Sequence, residues 1–309
     1  MTLNESAMAG ADFLAANAAH WRCAVSTVAG ARVIDCGGAV VGSLQAGLQM
    51  ARICTAGLAD VQLCPGPDGP VIQVATDEPV RACLAAQYAG WHVKVGKYFA
   101  MGSGPMRAAA GREALFDHIP GREQPSCAVG VLETRHHPTE EVIASIVEKL
   151  PTTAESLTLA VAPASSMAGT IQVVARSLET ALHKLHELKF DLSQVVSGYG
   201  VAPLPPVAAD EGKAIGWTND AILYGGRVVL WVRADDELLA QVGPKVPSSA
   251  SPDHGSPFGE VFARYSGDFY KIDPQLFAPA VVEFRNLKTG KAHSFGRLDP
   301  DVLRRSFGG

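Results

Sequence analysis

Short stretches of strand-forming residues alternate with amphipathic helical stretches along nearly all of the 309 residues. That alternation restricts the chain to layered α/β architecture, because each strand run needs a helical layer to cover it. Arg32 to Asp35 reads as a strand end, followed by a turn at Gly37-Gly38. Ser43 to Ala56 reads as a helix stopped by Gly57, and Val71 to Thr76 as a strand. Pro79 to Tyr88 is predicted helical, with proline in its first turn. Trp91 to Met101 reads as one strand, then a tight turn at Gly102-Ser103-Gly104-Pro105, a helical piece from Arg107 to Ala114, and a strand from Ser126 to Glu133. Thr134 to Pro138 has linker character, so the expected division is an N-terminal α/β domain over 1–135 and a C-terminal α/β domain over 136–309. The second domain is predicted to hold a helix over Thr139 to Leu150, a strand over Ser156 to Ala162 and a long helix starting near Gln172. Ala221 to Tyr224 and Arg227 to Val232 flank Gly225-Gly226, which predicts a hairpin. Pro244 to Gly259 has neither helical nor strand period, and long loops in compact domains are often functional.

At 47% hydrophobic and 18% charged residues the chain can fill full cores, which excludes a disordered protein. A net charge of -5, with no Lys/Arg-rich run, argues against nucleic acid or an anionic membrane as the main partner. The least charged region, Cys36 to Leu58, contains Gln45, Gln49 and Arg52 and is no clean membrane span. The start of the chain lacks a basic segment followed by an apolar one, so a cytoplasmic location is expected. Cys23, Cys36, Cys54, Cys64, Cys83 and Cys127 show no Cys-x-x-Cys or zinc-type spacing and read as reduced, buried thiols. Ala46 to Arg52 loosely repeats Ala168 to Arg176, which is compatible with two related halves or with chance.

The chemistry concentrates on the helix from Gln172. Gln172, Arg176, Glu179, His183 and His186 stack along one line, while Val173, Val174, Leu178, Leu182 and Leu185 occupy the other sides. Arg176 and Glu179 are three apart and meet on the helix surface. Under a pocket, such a pair can position water and move a proton; facing solvent, it is an ordinary ion pair. The histidines lack the spacing of a metal site, so no metal is expected. Gly102 to Arg107 is either a strand-to-helix turn or an anion-facing one, with Arg107 or Arg112 assisting. Asn219 and Asp220 can form a turn or contact a ligand edge. Ser248, Ser249, Ser251, Asp253 and His254 make a polar loop, too close in sequence to form a catalytic triad. Trp217, Tyr224, Phe258 and Tyr270 are each core residues or ring-stacking ones.

Several segments together resemble the methenyltetrahydromethanopterin cyclohydrolase family, over about Val33 to Ala280. They are Gln87 to Trp91, Tyr98 to Pro105, Ala175 to Thr180, Gly198-Tyr199-Gly200, Thr218 to Gly226, Asp253 to Phe258 and Phe269 to Pro274. Met106 and His254 depart from the pattern, where a small residue and a tyrosine are expected. The resemblance implies two α/β domains with a substrate pocket in the cleft between them. It implies a homo-oligomer, often a trimer in the family, with no metal or redox cofactor. The substrate would be a tetrahydromethanopterin derivative, and the reaction a step of one-carbon metabolism: water adds to the cationic methenyl bridge between N5 and N10, giving the N5-formyl compound. Arg176 and Glu179 would be catalytic, with Ser103, Asn219, Asp220, Tyr224, Ser248, Ser249 and Asp253 holding the substrate. A pterin-dependent formyl-transferring enzyme and a non-catalytic formyl-pterin-binding subunit of a partner complex remain the alternatives.

Overall fold

Strand pairing, rather than position along the chain, sorts the elements of the computed structural model, which describes residues 1–267 and 271–308. Among these residues twelve strands form two six-stranded mixed sheets, so the α/β expectation holds. The first compact unit comprises Met1–Ala59 and Val80–Gln172, and the second Asp60–Pro79 and Val173–Gly309.

In the first unit, helix α1 (Leu3–Ala16) starts on a capping box, in which Thr2 accepts from the Glu5 N–H and the Glu5 carboxylate accepts from Thr2. Its sheet runs β1 (Ala24–Val28), β2 (Ala31–Asp35), β8 (Leu157–Ala162), β7 (Ala128–Glu133), β6 (Tyr98–Ser103) and β5 (Trp91–Val95). β2, β8 and β7 are parallel. β8 is buried along its whole length, as a central parallel strand must be. Helices α2 (Leu44–Cys54), α3 (Met106–Ala110) and α4 (Glu140–Val147) and a π-helix, Val80–Gln87, accompany the sheet. One core holds Trp91, Val93, Ala100, Met106, Ile143 and Leu159; another holds Leu14, Ile34, Met50, Ile53, Val131 and Ala160.

The second sheet runs β12 (Ala292–Gly296), β11 (Val281–Asn286), β10 (Arg227–Val232), β9 (Val195–Pro203), β4 (Gly69–Thr76) and β3 (Asp60–Gly66). Every pairing in it is antiparallel except β10 with β11. Helix α5 (Met167–Val174), which belongs to the first unit up to Gln172, leads into α6 (Ser177–Glu187) of the second, and α7 (Glu211–Gly225), α8 (Asp236–Val242), α9 (Phe258–Arg264) and α10 (Pro300–Ser306) complete the second unit.

The units do not follow the 135/136 division. β8 hydrogen-bonds between β2 and β7, which keeps 136–172 with the first unit, while β4 pairs with β9 and carries 60–79 to the second. Trp91 to Met101 is a hairpin rather than one strand: Val95 pairs with Tyr98 across Gly96-Lys97, and Gly96 has φ 55°. The expected hairpin around Gly225-Gly226 is instead the end of α7, which Asp210 caps at its start and Gly226 at its end. A four-residue apolar run such as Ala221 to Tyr224 carries no period of its own, and helix capping decided it. The two similar segments Ala46–Arg52 and Ala168–Arg176 pack against one another: a Cβ on Gly47 would lie 2.9 Å from the Ala168 Cα. Met106 is a core residue. Its sulfur occupies space that a Cβ on Gly130 would enter, at 2.2 Å.

Candidate functional site

The long helix expected over Gln172 to Leu188 breaks at Ala175-Arg176. The Arg176 N–H bonds back to Val173 (3.0 Å) in a tight turn, and Arg176 takes φ -89°, ψ 3° as the residue before α6. No glycine or proline marks this break. Its partner is β9, where Gly198 and Gly200 offer no side chains and the first turn of α6 presses onto the strand. A Cβ on Gly200 would stand 2.9 Å from the Leu178 nitrogen and 2.7 Å from the Ser177 hydroxyl.

The break leaves Gln172 on α5, Arg176 at the junction and Glu179 in the first turn of α6, where a carboxylate is favoured by the helix dipole. Arg176 and Glu179 are 7% and 5% exposed, so they are not a solvated surface pair. Arg176 Nη1 lies 3.8 Å from Glu179 Oε2, close enough for charge attraction and loose enough for water to sit against both. His183 and His186, further along the same line, are half-buried. The polar line is thus sheltered at its Arg176 end and wetter at the other.

Lys184, which the sequence reading passed over, lies on the same helix and is 2% exposed. Its ammonium donates to the Gln275 carbonyl (2.5 Å), and burial lowers its pKa to about 8 while the Asp273 charge opposes that shift. Asp273 in turn accepts from the Ser251 hydroxyl (2.6 Å), and its N–H donates to Asp253 (3.1 Å). Asp253 also accepts from the Tyr265 hydroxyl at 3.1 Å. These bonds tie α6 to the polar loop. Nothing in the periodicity distinguishes Lys184 from a solvated lysine; only its surroundings do.

The remaining candidates in the second unit cluster where α7 meets that loop. The Tyr224 hydroxyl donates to the Ser256 carbonyl (2.6 Å) and accepts from the Gly255 N–H (3.1 Å), and burial pushes its pKa up to about 12. His254 packs on Tyr224, with ring centroids 4.9 Å apart; burial lowers its pKa, which favours a neutral imidazole. Ser248 donates to the Leu223 carbonyl (2.5 Å), and Ser249 is exposed. Asn219 donates to the Ile215 carbonyl one turn back (2.8 Å). Asp220 accepts from the Phe258 N–H at the start of α9 (2.8 Å) and from Ser306 on α10 (2.5 Å). Burial raises Asp220 to about 7 despite those two bonds. Trp217 meets Phe307 edge-on, and Phe258 packs between Phe262 and Phe277. Tyr270 lies outside the described residues, as does Phe269 of the last matching segment.

Ser103 belongs to the first unit, at the end of β6, buried beside the Cys54 sulfur (3.2 Å) and the Val131 carbonyl (3.3 Å). Arg107 does not serve an anion-facing turn. It is fully buried, bonded to both Glu113 oxygens and to the carbonyls of Leu84, Ala85 and Ala86, which closes the end of the π-helix. An open depression of about 240 Å³ beside it is lined by Trp91, His92, Arg112, Glu113 and Lys149 among others; Arg112, a candidate anion contact by sequence, is there, but none of the expected catalytic or substrate-holding residues is. No cluster of metal-ligating side chains occurs among the described residues, and no helix among them is long and apolar enough to cross a membrane.

Comparison with known proteins gives these residues a context. Residues 2–307 match the family model described as "Cyclohydrolase (MCH)". A methenyltetrahydromethanopterin cyclohydrolase of Rhodopirellula baltica is 50% identical over 291 residues, covering 91% of this chain and 87% of its own. A protein of the same name from a Methylobacterium species is 46% identical over 305 residues, covering 95% and 94%. One from Methanococcoides burtonii is 41% identical over 285 residues, covering 90% and 89%. With a family model over residues 2–307 and relatives at such identity over most of their length, the chain belongs to the methenyltetrahydromethanopterin cyclohydrolase family.

Proposed function

We propose that this protein interconverts N5,N10-methenyl-tetrahydromethanopterin and its N5-formyl form, with Arg176 and Glu179 as the catalytic pair. The observation that carries the assignment of residues is their joint burial at the α5–α6 break, within a chain that aligns with a cyclohydrolase over 91% of its length.

The methenyl bridge is an amidinium-like cation, its charge shared by two nitrogens and the carbon between them. Such a carbon needs only a well-placed water on its open face and an acceptor for one proton. Glu179 holds the water and takes its proton, and the carboxylate charge favours the cationic substrate. Arg176 orients the carboxylate with its planar fork. Water addition gives a carbinolamine. Its C–N10 bond then breaks, N10 takes a proton, the hydroxyl loses one and a formyl group stays on N5, so one proton is released overall. Nothing in these steps calls for a metal or a redox cofactor. Ser103, Asn219, Asp220, Tyr224, Ser248, Ser249 and Asp253 serve the substrate directly or hold the loop that does; the internal bonds of Asp220 and Tyr224 favour the second role for them. The family resemblance supports a homo-oligomer, which light scattering of the purified protein measures.

Mixing purified protein with methenyl-tetrahydromethanopterin alone and following the near-ultraviolet absorbance of the cation tests the proposal. Catalysed loss is the expected result. Loss that depends on an added formyl acceptor identifies a transferase instead, and tight binding without loss identifies a carrier subunit.

A further inference from the structure

Cys23 and Cys36 face one another where the β1–β2 ladder ends. The ladder pairs Ala24 with Asp35, so the next step outward sets Cys23 opposite Cys36. Neither cysteine spends its N–H on the other: Cys36 donates to Val161 on β8 and Cys23 to Ala18, both at 2.8 Å. The two therefore occupy a non-hydrogen-bonded position, where Cα atoms lie about 4.5 Å apart. A disulfide spans Cα separations of about 4.4–6.8 Å. Cys64, by contrast, sits opposite Val71.

The surroundings give the two sulfurs different parts. Cys36 is fully buried and Cys23 half-buried, and both are free thiols. The neighbouring Cys36 thiol lowers the Cys23 pKa and Arg22 acts in the same sense, against burial and the Asp35 charge. The Cys23 sulfur, burial and Asp35 all raise Cys36. The more reachable sulfur is thus the more easily ionised one, and its neighbour is a thiol held in place to couple with it.

We propose that Cys23 and Cys36 form a reversible redox site, at which a peroxide oxidises the two thiols to a cross-strand disulfide and a dithiol reopens it. The Cys23 thiolate attacks one peroxide oxygen; the O–O bond breaks, and the leaving hydroxide takes a proton and departs as water, leaving a sulfenic acid on Cys23. The Cys36 sulfur then attacks the Cys23 sulfur; the S–O bond breaks, and the hydroxide leaves with the Cys36 proton as a second water. The two thiols lose two electrons and the peroxide gains two. The new bond fastens the segment 36–42 at its start. Its far end is already tied, because the Gly42 N–H donates to the Arg22 carbonyl (3.0 Å) and Arg22 Nε donates to the Gly42 carbonyl (2.9 Å).

Trypsin cuts after Arg22, Arg32 and Arg52, which places Cys23 in the peptide 23–32 and Cys36 in 33–52, each with no other cysteine. The folded, full-length protein is treated with hydrogen peroxide, free thiols are blocked with an alkylating agent, and the unreduced digest is read by mass spectrometry. The expected result is a linked 23–32/33–52 pair that grows with peroxide and vanishes with dithiothreitol. Oxidation in urea serves as the comparison and should spread links among all six cysteines. The proposal is overturned if Cys23 advances to sulfinic acid with no linked pair, if both thiols stay alkylatable while other cysteines oxidise, or if the link is no more frequent folded than in urea. The wild-type chain suffices, so the result does not depend on a variant that must fold.

Discussion

At the scale of single residues, the proposed chemistry rests on a carboxylate and a guanidinium that the fold has taken out of bulk water. Glu179→Gln keeps shape and burial but removes the proposed proton acceptor, and turnover should fall by roughly 10²-fold or more, the usual range for an acid–base group. Near-normal turnover in that variant removes Glu179 from the mechanism. Arg176→Lys keeps the charge but loses the planar fork, and kcat should drop while the thermal midpoint stays close to wild type. Asp220 makes a different prediction, about stability. Its folded pKa of about 7 exceeds the unfolded value of 3.8. Below about pH 4 both states carry the proton. Between about 4 and 7 only the folded state does, so stability falls as pH rises, and above 7 the loss is complete. The loss is on the order of 2–4 kcal/mol for this buried group. Asp220→Asn can keep the bonds to Phe258 and Ser306 without ionising. Urea midpoints at pH 5 and pH 8 should therefore converge in the variant and differ in the wild type; equal slopes for both proteins exclude this account.

At the scale of elements, the junction of α5 and α6 owes its shape to two glycines on a neighbouring strand. Gly200→Ala would press on the Leu178 backbone nitrogen, which cannot move without displacing α6. A destabilisation of about 1–3 kcal/mol is expected, with a loss of turnover beside it. Gly198→Ala meets the Leu178 side chain first, at 2.8 Å from its methyl end, and should be milder in both. Equal effects of the two substitutions would contradict a backbone-to-backbone approach. The π-helix offers a second case. Arg107 satisfies three of its last carbonyls and Glu113 from a fully buried position. Arg107→Met strands those acceptors, and chemical denaturation should show a loss of about 3–5 kcal/mol.

At the scale of the whole molecule, the two sheets are assembled from non-contiguous stretches, so the chain cannot be divided where its sequence looks divisible. A fragment of residues 1–135 lacks β8, the strand between β2 and β7. Buried parallel strands without a central partner expose unpaired backbone groups, and the fragment should show no cooperative thermal transition by circular dichroism. A sharp, reversible transition would restore the linear division.

Local information was sufficient for most elements of regular period. The helix after Ser43, the strands ending in Thr76, Glu133 and Ala162 and the overall α/β layering follow from capping residues and hydrophobic spacing, both encoded within a few neighbours. The pairing of Arg176 with Glu179 is local as well, since residues three apart meet on any helix. Their burial is not local. It depends on α6 settling against a strand that lacks side chains at two positions, and the same approach breaks a helix that no glycine or proline interrupts. Likewise Ala221 to Tyr224 became helix because Asp210 and Gly226 cap it from either end. Arg107 and Lys184 look like surface cations in sequence and are core residues in space. Periodicity reports which residues share a face; what covers that face is set by segments far away in the chain, and only the tertiary structure brings those together.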